Sequence, residues 1–408
     1  MRSAAGLALV VLLAAGCWNW SFPTDLLADG PGPDSPVADL RVDGGQDFAL
    51  DLEPDLIPDQ APPECPPCTN PATPICDKGK CRPCDSDGEC LNGFCNATGE
   101  CPAASDIAHV NSSSRSCPGN GDKATPFCAF VDGADSGKAH VLVEPGNYDG
   151  DVTLDAPQEI HGKPGAILKV SACDKLLIEK AKVTLVGFTI EGSIKIVSGT
   201  GVLLRDRIGP SACIGVEATG ELTLERSFIF GHDLGGVHVK DKYSLVNNII
   251  AQNGTPGGPQ FGAIKLEVAP SGSRLMYNTI AFNQSKGGAK EGAIRCEAAA
   301  AGSMCVNCLF WGNTPNDQGY PMGPNCNPLF SIEDYKSPAS APSHTSNFTV
   351  TDPKFVSLTP GTDPADYHIQ PTSPARDKGN PLATGLPADD YDGDPRSDGQ
   401  PDIGADEI

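Results

Sequence analysis

Leu245-Val246-Asn247-Asn248-Ile249-Ile250 is the stretch that decides the fold. It is an aliphatic pair, an Asn step and then aliphatics. The same phrase recurs six times, ending at Ile190, Ile208, Ile229, Ile250, Ile280 and Leu309, with separations of 18, 21, 21, 30 and 29 residues. A drifting period of about 20 to 30 residues is that of a solenoid, whose repeats bury their apolar sides only by stacking on one another. Each phrase is followed by a second alternating stretch, and four of these fall in register: Val216-Glu217-Ala218, Val237-His238-Val239, Ile264-Lys265-Leu266 and Ile294-Arg295-Cys296. Two or more short strands per repeat predict an all-β chain wound as a parallel β-helix.

Strand alternation then predicts a surface. With Val216, Val237, Ile264 and Ile294 inward, Glu217, His238, Lys265 and Arg295 project outward about 4.8 Å apart, with Lys195 one rung earlier. Two residues on, Thr219, Lys240, Glu267 and Glu297 form a second outward row. Lys195, Glu217, His238, Lys240, Lys265, Glu267, Arg295 and Glu297 are the candidate binding residues. The plainer reading is a solvated face with cross-strand pairs such as Lys240 with Glu267. Asn at the corners tolerates left-handed backbone and bonds to the rungs above and below, so Asn248, Asn278 and Asn307 are expected to form a structural ladder.

The N-terminus carries an address. Arg2, the apolar run Ala4 to Ala15 and the small pair Ala15-Gly16 make an export signal too short to span a bilayer. Leu13-Ala14-Ala15-Gly16-Cys17 resembles the bacterial lipoprotein signal, although Ala14 stands where Leu is common. The resemblance implies removal of residues 1–16, acylation of Cys17 and a membrane held through a lipid anchor. Trp18 after the Cys leans towards the outer membrane, with the protein surface-exposed or periplasmic. The alternative is an ordinary signal peptide.

The formal charge of −23 is uneven. Residues 18–64 hold eleven acids and one base, Arg41, for −10, and residues 350–408 hold twelve acids and four bases, for −8. Such acidity disfavours nucleic acid as a partner. The Pro, Gly and Asp-rich stretch 17–64 has too few apolar residues to bury and is expected to be a disordered tether, reaching roughly 35 to 40 Å.

Apart from Cys17, sixteen cysteines remain. Eight lie in a module over 65–104 with almost no aliphatics: Cys65, Cys68, Cys76, Cys81, Cys84, Cys90, Cys95 and Cys101. Disulfides are expected to replace the missing core there; the alternative is zinc at Cys65/Cys68 and Cys81/Cys84. The stretch from Cys84 to Cys101 resembles small Cys-rich modules of exported bacterial proteins, myxobacterial ones especially, which implies a structure and little about function.

Cys117-Pro118-Gly119-Asn120-Gly121, Ala124-Thr125-Pro126-Phe127-Cys128 and Val141-Leu142-Val143-Glu144-Pro145-Gly146-Asn147-Tyr148 are similar to the opening of right-handed parallel β-helix proteins of the pectin-lyase-like superfamily. The resemblance extends through Asn278-Thr279-Ile280-Ala281-Phe282-Asn283 and Asn307-Cys308-Leu309-Phe310-Trp311-Gly312-Asn313. It continues to Asp392-Gly393-Asp394-Pro395-Arg396 and the ending Asp402-Ile403-Gly404-Ala405-Asp406-Glu407, which is found in a group of bacterial surface β-helix proteins. It implies a helix over 108–313, a capping region over 314–408 covering one end, and a disulfide between Cys117 and Cys128.

No Gly-x-Ser-x-Gly elbow, His-Glu-x-x-His helix or phosphate-cradling loop is present, nor the Asp-pair, Gly-His-Gly and Arg-x-Lys set of β-helix polygalacturonases. Lyases of this fold bind acidic sugars on a mixed polar grid, with Lys or Arg as base and Ca²⁺ held by acids. That makes Lys265, Arg295 and His238 the catalytic candidates, and Ca²⁺ the one cofactor to consider. Arg205-Asp206-Arg207, Glu225-Arg226 and His232-Asp233 could also supply a base but read more simply as surface ion pairs. Asp390-Tyr391-Asp392-Gly393-Asp394 has alternating carboxylates without the spacing of a Ca²⁺ loop, so no metal site is assigned.

The expected protein is an outer-membrane lipoprotein displaying a β-helix that binds a polysaccharide or another surface polymer. The alternatives are a lyase cleaving uronic-acid polymers by β-elimination and a non-binding structural spacer. Cys17→Ser is predicted to leave the protein soluble or unprocessed, since no other membrane-length apolar run is present. Membrane fractionation checks this, and a variant that stays bound through a high-salt wash contradicts it.

Overall fold

The computed structural model describes residues 68–77, 79–255, 261–285, 291–314, 322–323, 325–333, 346–358, 366–383, 385–396 and 399–408. These belong to one unit, Ala61–Ile408. The export signal, Cys17, the tether and Cys65 lie outside the described residues.

The chain is an all-β parallel solenoid. Three parallel sheets form its faces: ten strands from Ile107–Val110 to Cys326–Leu329, ten from Gly146–Asp149 to Phe348–Thr349, and seven from Val152–Leu154 to Ile294–Cys296. Each face contributes a column of inward aliphatics to one continuous core. On the second face Ile190, Ile208, Ile229, Ile250 and Ile280 stack in register as the spacing predicts. The next member is Phe310, not Leu309, which pairs with Thr279 and belongs to a second apolar cluster outside the main core. Each fully buried aliphatic in such a column contributes roughly 1.5–3 kcal/mol.

The same one-residue slip corrects the ladder. Parallel strands have no hairpin turns, so the N–H groups at each corner need acceptors from the next rung. At the corner after the first face, Phe188 donates its N–H to Asp206 Oδ1, Asp206 to Ser227 Oγ, Ser227 to Asn248 Oδ1 and Asn248 to Asn278 Oδ1. Further along, Cys308 donates to Ser331 Oγ and Ser331 to Asn347 Oδ1. Asn307 is not a member. It takes the left-handed position just before the ladder, shared with Arg205, Arg226, Asn247 and Tyr277, with φ between 53° and 56°. A second ladder, unforeseen, follows the second face: His232 N–H to Asn253, Asn253 to Asn283 and Asn283 to Asn313. The signal was in the sequence as Asn248/Asn253 and Asn278/Asn283, five residues apart.

At the start of the solenoid, the Cys117–Cys128 disulfide closes a loop ahead of the short helix Phe130–Ala134, whose Phe130 enters the core beside Phe188. The Cys-rich module contains disulfides 68–81, 84–95 and 90–101, and Cys76 is disulfide-bonded too, so the zinc alternative falls. Three further disulfides, 173–213, 296–326 and 305–308, brace the solenoid. The module packs on the outer side of the first face. Phe94 is fully buried against Ile107 and Leu142 and stacks on His161 at 4.1 Å. His161 Nδ1 meets Asp87 at 3.0 Å, and its Nε2 meets Glu159 at 2.8 Å.

Residues 326–333 and 348–349 continue the first and second faces. The described residues from Phe355 onward include a strap on the outer side of the second face, with Tyr367, Ile369, Ala375, Ile403 and Ala405 buried against Phe228, Ile249, Ala281, Leu309 and Ile332. This strap grips the left-handed corner residues. Arg226 binds Asp389 at 2.9 Å, Asn247 donates to the Asp389 carbonyl, and Asn307 Oδ1 accepts from Asn380 N–H. Arg396 lies 4.2 Å over the Tyr277 ring, ion-pairs with Glu407 and donates to Asn247 and the carbonyls of Gly404 and Ala405.

Two predictions follow from buried ionisable groups. Asp206 is 2% exposed, and its Oδ2 has no hydrogen-bond partner. Burial pushes its pKa well above the usual carboxylate value, so ionising it as pH rises above about 4 costs stability. Asp206→Asn, the ladder's own residue, is predicted to stabilise the protein at pH 7 by about 1–3 kcal/mol, with the gain vanishing near pH 4. Urea unfolding at both pH values measures it. For His161, burial would lower the pKa, but the hydrogen bonds to Asp87 and Glu159 outweigh it and raise the value. Its contribution is therefore full below about pH 6.5 and is lost as pH rises through the higher folded value. His161→Gln is predicted to destabilise by about 1.5–3 kcal/mol at pH 6 and much less at alkaline pH, read by the same unfolding curves.

Candidate functional site

The third face places the outward row in register: Lys195 beside Glu217, Glu217 beside His238, His238 beside Lys265 and Lys265 beside Arg295. Their neighbours in each strand point inward and are fully buried, which fixes the alternation. The second row begins just beyond the strand ends. There the N–H groups of Thr219, Lys240, Glu267 and Glu297 each bond to the preceding rung, at the carbonyls of Ile196, Ala218, Val239 and Leu266.

The charged side chains form two groups of ion pairs, with His238 between them. Lys195 lies 2.9 Å from Asp174 and 3.6 Å from Glu217, and Lys240 is 2.8 Å from Glu217. His238 Nε2 is 2.7 Å from Glu267, Lys265 lies 3.0 Å from Glu267 and 3.8 Å from Glu297, and Arg295 is 2.9 Å from Glu297. The expected pair Lys240 with Glu267 is not among them; Lys240 turns back one rung to Glu217. The hydrogen bond from Lys195 to Asp174 raises the Lys195 pKa. Burial would raise the carboxyl pKa values of Glu217 and Glu267, but hydrogen bonds from Lys240 and Lys265 respectively bring them below the usual value.

His238 is not solvent-facing as expected: it is 7% exposed and meets the edge of Phe261 at 5.7 Å. Burial lowers its pKa against the opposing bond to Glu267. A neutral ring then donates Nε2–H to Glu267, and Nδ1, 3.8 Å from Glu217, has no hydrogen-bond partner among the described residues. Lys265 is also more enclosed than the alternation implied, with 19% of its side chain exposed.

The other sequence candidates serve the scaffold. Arg205 and Arg226 are corner residues, and Asp206 is buried. Arg207 lies over the Phe230 ring at 4.1 Å. His232 is buried in the second ladder. It bonds to Ser211 Oγ at 2.7 Å and to the Ile208 carbonyl at 3.1 Å, and burial pushes its pKa down to about 4. Arg226 does form an ion pair, with Asp389 of the strap, while Asp206 and His232 are too buried to act as a base on a substrate. Asp390, first of the alternating carboxylates, is fully buried: its Oδ1 accepts from Asp392, Gly393 and Asp394 N–H and its Oδ2 from Glu407 N–H. That carboxylate organises a turn.

A second cluster lies on the strap and was missed by sequence reasoning. His368 Nδ1 contacts Asp366 and its Nε2 contacts Asp392, with Asp406 alongside. The bond to Asp392 leads in raising the His368 pKa to about 10, and burial raises that of Asp406 to about 6. Asp366 is two residues upstream, but Asp392 and Asp406 lie 24 and 38 residues downstream, where no local spacing could reveal them.

No protein-family profile and no curated protein matches the chain. A solved structure of a pectate lyase, Pel9A, aligns with 74% of this chain and 96% of its own, with a TM-score of 0.38 and 13% identity. A similarity of that size carries no argument about chemistry.

Proposed function

We propose that the protein is a cell-envelope lipoprotein whose third face binds a polysaccharide or another polar surface polymer. One observation carries the choice of binder over lyase: each Lys and Arg of the grid is held by a carboxylate within 4.0 Å. β-Elimination needs a base able to give up its proton near neutral pH. The Lys195 pKa moves the other way, Lys265 is shared between two carboxylates, and His238, whose pKa is lowered, is only 7% exposed. A regular row of paired charges at rung spacing instead presents alternating donors and acceptors, which suit the repeating hydroxyl and carboxyl groups of a glycan chain.

Because Lys265 and Arg295 are enclosed in ion pairs, reversing their charge would set like charges beside Glu267 and Glu297. Neutral Lys265→Gln with Arg295→Gln is the cleaner test. The double variant is predicted to weaken binding on a glycan array, run with and without Ca²⁺, by tenfold or more while keeping the wild-type unfolding curve. Unsaturated products absorbing in the ultraviolet from uronic-acid polymers would overturn the binding reading in favour of the lyase. No binding by the parent across the array would leave the spacer.

A further inference from the structure

We propose that His368, Asp392 and Asp406 form a site for a divalent transition-metal cation of the zinc class, where the strap folds over strand Asp366–Ile369. The donor atoms are one imidazole nitrogen and two carboxylate oxygens, all within 4.8 Å of one another. Small side-chain rotations let one cation bond each at about 2.0–2.2 Å.

Each donor is positioned by a separate part of the fold. His368 sits on a strand paired antiparallel with Phe355–Ser357. Asp366 contacts the far ring nitrogen, Nδ1, the carboxylate–histidine arrangement that orients metal-bound imidazoles. Asp392 stands on the turn that Asp390 organises. Asp406 is 7% exposed and is held by Ile369 N–H at 2.7 Å.

A cleft gives access to the cluster. The cleft beside the cluster, about 530 Å³, is lined by His368, Asp394, Asp406 and Glu407 among others. The Glu407 side chain is 5% exposed, and although its Oε2 pairs with Arg396, its Oε1 is buried without a hydrogen-bond partner. A nitrogen donor favours zinc over Ca²⁺, which takes six to eight oxygens. On binding, the metal replaces the proton that Nε2 shares with Asp392, and that proton leaves to solvent. The site would pin the strand, the turn and the C-terminal end together. It stands independently of the glycan reading.

The test uses the purified full chain, stripped with a chelator and titrated with ZnCl₂ by calorimetry. One equivalent is expected to bind, at least tenfold more weakly in His368→Gln and in Asp392→Asn, and with unchanged affinity in Asp394→Asn, which alters the cleft but not the donors. Wild-type protein is expected to give a visible Co²⁺ spectrum that Zn²⁺ abolishes; this reading stands even if a variant fails to fold. No saturable Zn²⁺ binding, equal affinity in both donor variants, tighter binding of Ca²⁺ than Zn²⁺, or no Co²⁺ band overturns the proposal.

Discussion

Everything in this molecule depends on how a corner N–H finds an acceptor. A hairpin would satisfy it locally, but a parallel coil cannot, and an unpaired buried amide costs about 1–3 kcal/mol. The side chain one rung on is the solution, and it must be short, polar and in register: Asp206, Ser227, Asn248 and Asn278 at one corner, Asn253, Asn283 and Asn313 at the other. His232 shows the rule by exception. Its Nε2 reaches the Ile208 carbonyl much as Asn253 Nδ2 reaches that of Ile229, so the imidazole replaces the amide as donor, while its other nitrogen meets the Ser211 hydroxyl and no corner N–H.

The parts of the fold that were legible in sequence are those written in local periodicity. The isoleucine column and the outward row from Lys195 to Arg295 follow from alternation, and strand pairing preserves it. The slip at Leu309 arose because Asn307-Cys308 looks like Asn248 displaced by one residue, and only the neighbouring rung fixes the register. Which partner each charge chooses was not legible. Lys240 could reach Glu217 or Glu267, and alternation cannot choose between two acids one rung away on either side. The burial of His238 depends on Phe261, which precedes the next rung's strand and lies outside the alternating pattern.

The strap explains residues that resemblance alone left without a role. In Asp392-Gly393-Asp394-Pro395-Arg396 and the ending to Glu407, Arg396 is the hub, and the acidic residues around it serve distinct tasks. Glu407 neutralises it, Asp402 holds the Asp377 and Ile408 amides, and Asp390 ties the turn to the end of the chain. Among the described residues, Asp390, Asp402, Asp406 and Glu407 are thus buried carboxylates that accept backbone hydrogen bonds, not members of a solvated charge run.

Stacked repeats ordinarily behave as a one-dimensional array, each unit stabilised by its nearest neighbours and free to melt from an end. Here the strap touches Arg226, Asn247, Tyr277 and Asn307, which sit on four successive rungs. Those rungs are coupled beyond nearest neighbours, so fraying one requires releasing the strap from all of them. Cooperativity in this solenoid is therefore graded along its axis, with an all-or-none block under the strap and looser turns before it.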